Sequence, residues 1–506
     1  MTSALSSQDV ERFRATIAVR LGLWFDDAKL EQLAGVLGRR LLAVDDDAPH
    51  YLAQLEGQMQ ARVELREIAQ ELTVGETYFF RHTDQFRAFS EVALPERAEA
   101  RGALRKLSLL SAGCSSGEEA YTLSILAREY LTDALYEVSV LAVDVNPRAL
   151  ERARAARYSQ WALRETPANV RELYFSLEGR DYVLGKAVRD SVQFEEENLV
   201  ADDSWLPESF DVIFCRNVLM YFTPENAERV VSRFARALAP GGFLFLGHAE
   251  NLRGLSQDFE LCHTHGTFYY RRKGAIGLRA PRAPTVATVA APTRAAHALD
   301  WASTWLETVQ RSSDRIRVLT EPRAPEPRAA SRPDRAETAA IDLGLALELL
   351  SHERFAEALE VLARMPARIA RDADAVLLRA ALLTHCDRLE ESEHACIELL
   401  ALDGLNAGAH YLRSLCRERL GDTRAAIEHA QIASYLDPAF AMPHVHLGLM
   451  ARRAGDRSTA QRELNSAALL LQREDASRLL LFGGGFSREG LVALCRSELE
   501  RLGGSS

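Results

Sequence analysis

Apolar positions along this chain change their period three times, and each change marks a different kind of structure. From Ser7 to about Arg101 they recur every three or four residues, as in Phe13, Ile17 and Leu21 or Leu30, Leu33 and Leu37. That spacing predicts a small all-helical domain over residues 1–101. From Leu107 continuous apolar runs alternate with amphipathic stretches. Strands are predicted over Leu107–Ser111, Val138–Asp144, Phe210–Cys215 and Phe243–Gly247, and helices over Gly117–Tyr130, Pro147–Ala156 and Thr223–Ala239, with a last strand-like run at Gly266–Tyr270. Such alternation predicts an α/β domain over 102–273, a parallel sheet with helices on both faces. Thr223-Pro224 offers a capping hydroxyl and an N1 proline, and Pro240-Gly241-Gly242 is expected to end that helix.

Residues 274–340 are dominated by Ala, Pro, Arg and Thr and lack the apolar content to offset chain entropy, so a flexible linker is expected. Within it, Leu299–Leu319 carries Trp301, Trp305, Leu306, Val309 and Ile316 at the spacing of an isolated amphipathic helix. After Ala340 the pattern is wholly helical and repeats. Ala373, Ala407 and Ala441 open similar segments 34 residues apart (407 − 373, 441 − 407), and Asp387, Gly421 and Gly455 superpose at the turn. A weaker unit runs from Leu343 to Pro366. Residues 341–475 thus resemble tetratricopeptide repeats, an all-α solenoid whose default role is protein binding. Residues 476–506, a glycine turn and an amphipathic helix, read as a cap for the last repeat.

Composition narrows the function. A chain of 506 residues needs several cores, and a net charge of −11 argues against nucleic acid as the main partner. The seven cysteines are scattered without paired CxxC spacing, as in a reducing compartment without structural zinc. There is no apolar run of membrane-spanning length and no basic-then-apolar start, so a cytoplasmic protein without membrane insertion is expected.

The candidate chemistry lies where strands of the α/β domain end, because ligands of open α/β sheets sit at the strands' carboxyl edge. Gly113 and Gly117 mark a turn where backbone approaches a ligand. Glu118-Glu119 follows that turn and would repel a pyrophosphate, which disfavours a nicotinamide dehydrogenase. Asp144 ends the next strand, where a carboxylate suits ribose hydroxyls. S-adenosyl-L-methionine, cationic and free of phosphate, meets both demands. Asn198-Leu199 is placed against the adenine, and Arg216-Asn217 beneath the cofactor. His263 and His265 lack a third ligand in the sequence, so no metal is expected and both are read as structural.

Four strings in order, Thr73-Val-Gly-Glu-Thr77-Tyr-Phe-Phe-Arg81, Glu118-Glu-Ala-Tyr121, Phe214-Cys-Arg-Asn-Val-Leu-Met-Tyr-Phe222 and Gly247-His-Ala-Glu250, resemble the CheR family of chemotaxis receptor methyltransferases over about residues 7 to 272. The resemblance implies an all-α N-terminal domain on a class I, Rossmann-like S-adenosylmethionine-dependent domain. It implies methyl esterification of glutamates on the cytoplasmic helices of a methyl-accepting chemotaxis receptor. It also implies cofactor contact by Thr77, Arg81, Glu119, Asp144, Asn198, Leu199, Arg216 and Asn217, with Tyr221 beside the reacting methyl. In the reading adopted here, Tyr221 aims the substrate carboxylate and Arg81 grips the methionine carboxylate of the cofactor. The basic helix that meets the receptor is thinner here (Lys29, Arg39, Arg40), and the turn Leu177–Asp181 is short, as in members independent of a receptor pentapeptide. The repeats resemble those of CheR-related fusion proteins, with a protein partner the sequence does not name. Two other readings stay open: an inactive methyltransferase-like scaffold acting through its repeats, and an enzyme for a small carboxylic acid.

Overall fold

Ser6 starts the first helix, its hydroxyl accepting the Asp9 amide while Asp9 reaches back in a capping box, and Phe13 and Ile17 turn inward from it. The computed structural model describes residues 5–57, 61–73, 75–131, 136–201, 205–274, 335–366 and 372–503, in two compact units, Met1–Gly277 and Leu278–Ser506. The amphipathic segment expected at Leu299–Leu319 lies outside the described residues. Among the described residues no helix is long and apolar enough to cross a membrane.

In the first unit, α1 (Ser7–Arg20), α2 (Leu30–Val44), α3 (Ala48–Glu56) and α4 (Ala61–Leu72) share a core of Phe13, Ile17, Leu33, Leu37, Leu52 and Ile68. A second helical stretch, α5 (Thr83–Ala88) and α6 (Leu94–Arg101) joined by a π-helical turn, leads into the sheet. The elements that follow are β1 (Lys106–Ala112), α7 (Glu118–Tyr130), β2 (Glu137–Asp144), α8 (Pro147–Ala155), β3 (Arg157–Tyr158), α9 (Ala168–Tyr174), β4 (Phe175–Glu178), β5 (Asp181–Leu184), α10 (Lys186–Arg189), β6 (Val192–Glu196), β7 (Phe210–Cys215), α11 (Pro224–Ala237), β8 (Leu238–Leu246), β9 (Phe259–Thr264) and β10 (Thr267–Arg272). Seven strands form one sheet in the order β6-β2-β1-β7-β8-β10-β9, in which β10 alone runs against the other six, a Rossmann-like arrangement. The central β7 is buried at every residue, as a strand covered on both faces must be. Its Asp211 is satisfied by Arg97 at 2.9 Å, Arg101 at 2.8 Å and the Ser108 amide at 3.1 Å, which ties α6 to the sheet.

Three features differ from the pattern-based expectation. α11 ends at Ala237, and Pro240-Gly241-Gly242 lies inside β8, where pairing to β7 jumps from Phe210↔Leu238 to Val212↔Phe243. The proline and glycines make a bulge in a strand rather than a helix stop. A three-stranded antiparallel sheet, β3-β5-β4, was not read from sequence, and the short Leu177–Asp181 turn is its hairpin. Finally β9, also not predicted, completes the antiparallel edge beside β10.

The second unit is a helical repeat array of the tetratricopeptide kind. First helices begin at Ala373, Ala407 and Ala441, and second helices at Phe355, Leu389, Thr423 and Arg457, each 34 residues apart (389 − 355, 423 − 389, 457 − 423). Gly421 and Gly455 turn with φ of 87° and 80°, and Asp387 takes φ 59° at the same place. Asp422 and Asp456 then cap the second helices through the Ala425 and Thr459 amides. Small residues at equivalent places, Ala380, Ser414 and Gly448, let paired helices approach. The Ser414 hydroxyl donates to the Ala426 carbonyl at 2.7 Å, and a Cβ on Gly448 would stand 2.7 Å from Leu464 Cγ. Helix Arg488–Gly503 packs on Arg457–Leu470 and buries Leu491 and Cys495. Gly448→Ala is therefore expected to lower stability by about 1–3 kcal/mol, because the added methyl overpacks that crossing. Urea unfolding followed by circular dichroism would show a lower midpoint at unchanged slope.

Candidate active site

β1 leaves the sheet through a turn only glycine can make cheaply. Gly113 has φ +77°, and a Cβ on it would lie 2.4 Å from Val218 Cγ2, so β1 and the segment after β7 close on one another here. Asp144, at the end of β2, accepts the Ser115 amide on one oxygen and the Asn146 amide on the other, each at 2.8 Å. Burial pushes its carboxyl up from the ordinary range, and these amides oppose the shift. Asn146 caps α8 through the Ala149 amide at 3.1 Å and donates to Thr73 Oγ1 at 3.0 Å, fixing the end of α4 to the sheet.

A buried ion pair lies beneath. Arg216, just past β7, donates from Nε to Glu119 at 2.6 Å and from Nη1 to the Arg81 carbonyl at 2.6 Å and to Gln85 at 3.1 Å. Ser111 donates to the other Glu119 oxygen at 2.7 Å. Both acidic residues at the start of α7 thus turn inward, and Glu118 accepts from Ser116. The carboxylates that line the cavity are instead Asp144 and Glu197, the latter paired with Arg233.

The segment Asn217–Phe222 is held by a single carboxylate. Glu250, 4% exposed, accepts the amides of Gly247 and Asn217 at 2.7 Å, Val218 at 2.8 Å and Met220 at 3.2 Å. Asn217 can therefore take φ +58°, and Tyr221 follows on a short 3₁₀ turn. Gly247 is required beside it, since a Cβ there would meet Glu250 at 2.7 Å and the Asn217 amide at 2.9 Å. The neighbouring His248 stacks edge-on to His82 at 4.2 Å. Burial, His248 and two arginines push His82 down to about 4. His265 meets Glu91 at 2.8 Å and His263 stacks on Phe268, so both histidines near the strand end have structural partners.

The N-terminal helices supply the facing wall. Leu23 bridges Phe222, the Trp24 amide donates to the Tyr221 carbonyl at 2.6 Å, and the Asn198 side chain donates to the Arg20 carbonyl at 3.0 Å. Gly22, at φ +78°, makes this passage possible, since a Cβ would lie 2.3 Å from Val200.

One cavity results. Of the residues singled out from sequence, Gly113, Asp144, Asn198, Leu199, Asn217 and Tyr221 line it. Thr77, Arg81, Glu119 and Arg216 do not. Arg81 donates to the Glu76 carbonyl at 2.8 Å and lies 5.7 Å from the Tyr78 ring. Sequence reasoning missed Leu21, Leu23, Phe25 and Leu72, which complete the apolar wall, and gave Glu250 no role. The break in helical spacing at Gly22-Leu-Trp-Phe25 was the available signal for the first three.

The lining fits an adenosyl sulfonium amino acid. Among the described residues that line it there is neither Lys nor Arg, and of its two carboxylates Glu197 is paired with Arg233 behind the wall, so Asp144 is the one left to face a cation and to accept from hydroxyls. Among the described residues the buried Ser115 hydroxyl has no partner.

Residues 75–268 match the CheR methyltransferase SAM-binding domain. The chain is 33% identical over 262 residues to a chemotaxis protein methyltransferase of Klebsiella aerogenes, covering 51% of this chain and 88% of that one. It is 28% identical over 465 residues to the probable biofilm formation methyltransferase WspC of Pseudomonas aeruginosa, covering 90% and 98%. It is also 31% identical over 247 residues to an uncharacterised 104.1 kDa protein of Rhodobacter capsulatus, where 48% of this chain spans only 26% of the relative.

Glu250→Gln replaces a four-amide acceptor with one oxygen and an NH2 group, leaving two buried amides unpaired. The expected cost is about 2–4 kcal/mol of unfolding free energy. Thermal unfolding should show it, together with weaker binding of S-adenosylhomocysteine in calorimetry.

Proposed function

As the chain belongs to the CheR methyltransferase family, we propose that it uses S-adenosylmethionine to methyl-esterify glutamate side chains on the cytoplasmic helices of a methyl-accepting chemotaxis receptor. The observation that carries this reading is the juxtaposition of Asp144, Asn198 and Asn217 with Tyr221 around one acidic, partly apolar cavity. The cofactor supplies an electrophilic methyl on a cationic sulfur. Asp144 would hold the ribose hydroxyls, Asn198 and Leu199 the adenine, and Gly113 the backbone approach. Thr77, Glu119, Arg216 and Asn217 are proposed to complete the cofactor site, with Arg81 swinging toward the methionine carboxylate.

When a carboxylate attacks a sulfonium, charge disappears on the way to the transition state. Firm ion pairing to the nucleophile would therefore stabilise the ground state more. The task left to the protein is alignment, which contributes up to about 7–11 kcal/mol. Tyr221 suits it. The residue is half-buried, its backbone is fixed by Trp24 and Val218, and among the described residues no side chain engages its hydroxyl. An ionised glutamate needs no general base. The repeats would dock a protein partner, in a cytoplasmic setting, without entering the chemistry.

Tyr221→Phe is expected to lower kcat about tenfold or more while changing affinity for S-adenosylhomocysteine by less than about threefold, whereas Arg81→Ala weakens that affinity by about tenfold. Methyl-transfer kinetics and calorimetry read both, and the reverse pattern would contradict the assigned roles. A chain ending at Lys273 should methylate a purified receptor fragment within about threefold of the full-length rate if the repeats only recruit. A larger change would mean that they regulate the enzyme directly.

A further inference from the structure

After the last repeat the chain turns back across the array. The short helix Ala476–Phe482 lies against the first helices of the repeats, the face on which a solenoid receives its partners. Phe482 is 7% exposed, its ring 5.8 Å from Tyr411 and 5.1 Å from Phe440, and a Cβ on Gly408 would stand 2.9 Å from its Cζ. Arg478, one turn earlier on the same helix face, meets Asp437 at 2.5 Å and lies over the Phe440 ring at 5.4 Å. Leu480 and Leu481 pack on the cluster that holds Leu350 of helix Arg335–Ser351 and Leu382 of helix Ala373–His385. One short segment thus touches the first helix, or its cap, in every repeat.

Capping does not require this excursion. The last repeat is already covered by helix Arg488–Gly503, which buries Leu491 and Cys495. Arg488 donates to the Leu471, Gln472 and Glu474 carbonyls at 3.1, 2.8 and 2.7 Å, and Glu474 accepts the Ala441 amide at 2.6 Å. Both ends of the excursion are therefore pinned at one place, and the cap holds whether or not the excursion is seated. Gly484 and Gly485 turn within it at φ +62° and +81°, and a helix of seven residues has little stability of its own. Leu479, Leu480 and Leu481 are only half-buried, so Arg478 and Phe482 carry most of the seat.

We infer that residues 475–487 are a built-in occupant of the repeats' docking face, and that the partner which replaces them is a protein segment of the same chemistry, a basic residue four positions ahead of an aromatic with apolar residues between. The inference rests on the reading of the repeats as a docking module, and it is independent of methyl transfer. A tethered segment acts at an effective concentration of about 1 mM, so a face with an intrinsic Kd of about 10–100 μM for it stays filled. A partner must then displace the chain's own segment, which sets a threshold on docking.

The test adds a fluorescently labelled synthetic peptide with the sequence of Asp475–Ser487 to the full chain, as wild type and as the double variant Arg478→Glu, Phe482→Ala, which sets a carboxylate against Asp437 and removes the ring. Fluorescence anisotropy is expected to show the variant binding the peptide at least about tenfold more tightly than wild type, because its docking face is open. A peptide carrying the same two changes should bind neither chain. Hydrogen exchange on the wild-type chain gives a second reading. The amides of Leu479–Phe482 should exchange at least about tenfold faster than those of Leu412–Cys416, while those of Leu491–Cys495 stay as slow as the latter. Equal binding by both chains, binding by neither, or equal uptake of the altered peptide would overturn the inference. So would exchange at Leu479–Phe482 as slow as in the repeat helices, since the segment would then be a fixed part of the core, and this reading alone decides if circular dichroism shows the variant unfolded. The docking role of the repeats is judged separately, by methyl transfer with the chain ending at Lys273.

Discussion

Glu119 and Arg216 meet at 2.6 Å where neither has room for a hydration shell, and four parts of the first unit depend on that meeting. Glu119 belongs to the start of α7, Arg216 to the end of β7, Ser111 to β1, and Arg81 with Gln85 to the segment entering α5. Such a pair adds little net stability over an apolar replacement, because desolvation offsets most of the attraction. Losing one member is costly, since it strands a charge. What the pair fixes is register: the segment carrying Thr77 and Arg81 has one seat on the sheet edge, and Arg216 delivers Asn217 to the cavity at one height. Phe86 and Phe214, 4.9 and 5.7 Å from the guanidinium carbon, close the sides of that seat.

From this floor the site is built upward by backbone amides rather than side-chain charges. Asp144 collects two amides, and Glu250 collects four. Each carboxylate shapes a turn whose donors would otherwise be unsatisfied in a place water does not reach. The consequence is a pair of stiff loops, Gly113–Gly117 and Asn217–Phe222, in contact through Gly113 and Val218. The N-terminal helices then close the third side, because Gly22 lets the chain turn so that Leu23 and Trp24 reach the Tyr221 segment.

How much of this was legible follows from the range of the interactions. The Leu107–Ser111 and Phe210–Cys215 strands, the α7 and α11 helices and the 34-residue repeat rest on local periodicity, and they are found with ends shifted by a residue or two. Pro240-Gly241-Gly242 misled because the same residues that stop a helix also make a bulge, and only pairing with β7 decides between them. β3, β4 and β5 are too short to show alternation. In the site, Gly113, Asp144 and Asn217 were visible because strand ends in an alternating sheet share an edge. Glu250 appeared only as part of a resembling motif, since three of its partners are amides some thirty residues away, and none of the four carries a side-chain signature. The inward turn of Glu118 and Glu119 was equally hidden. The expectation of a phosphate-free, cationic ligand survives for a different reason, the absence of Lys and Arg among the described residues of the cavity lining and the presence of Asp144.

That reason bears on the chemistry. On the proposed reaction, a lining without Lys or Arg leaves an arriving carboxylate unpaired, so its attraction to the sulfonium is spent along the reaction coordinate and not on the protein. The same wall gives little help in gathering an anionic substrate from solution. An enzyme arranged this way must obtain affinity for its protein substrate outside the reacting centre, from surfaces that do not alter the charge balance inside it. Under the function proposed above, a docking module elsewhere in the chain would satisfy that demand. The repeat array is the surface proposed for that role. On that reading, the lack of cations in the pocket and docking away from it belong to one physical solution: orientation inside, recognition outside.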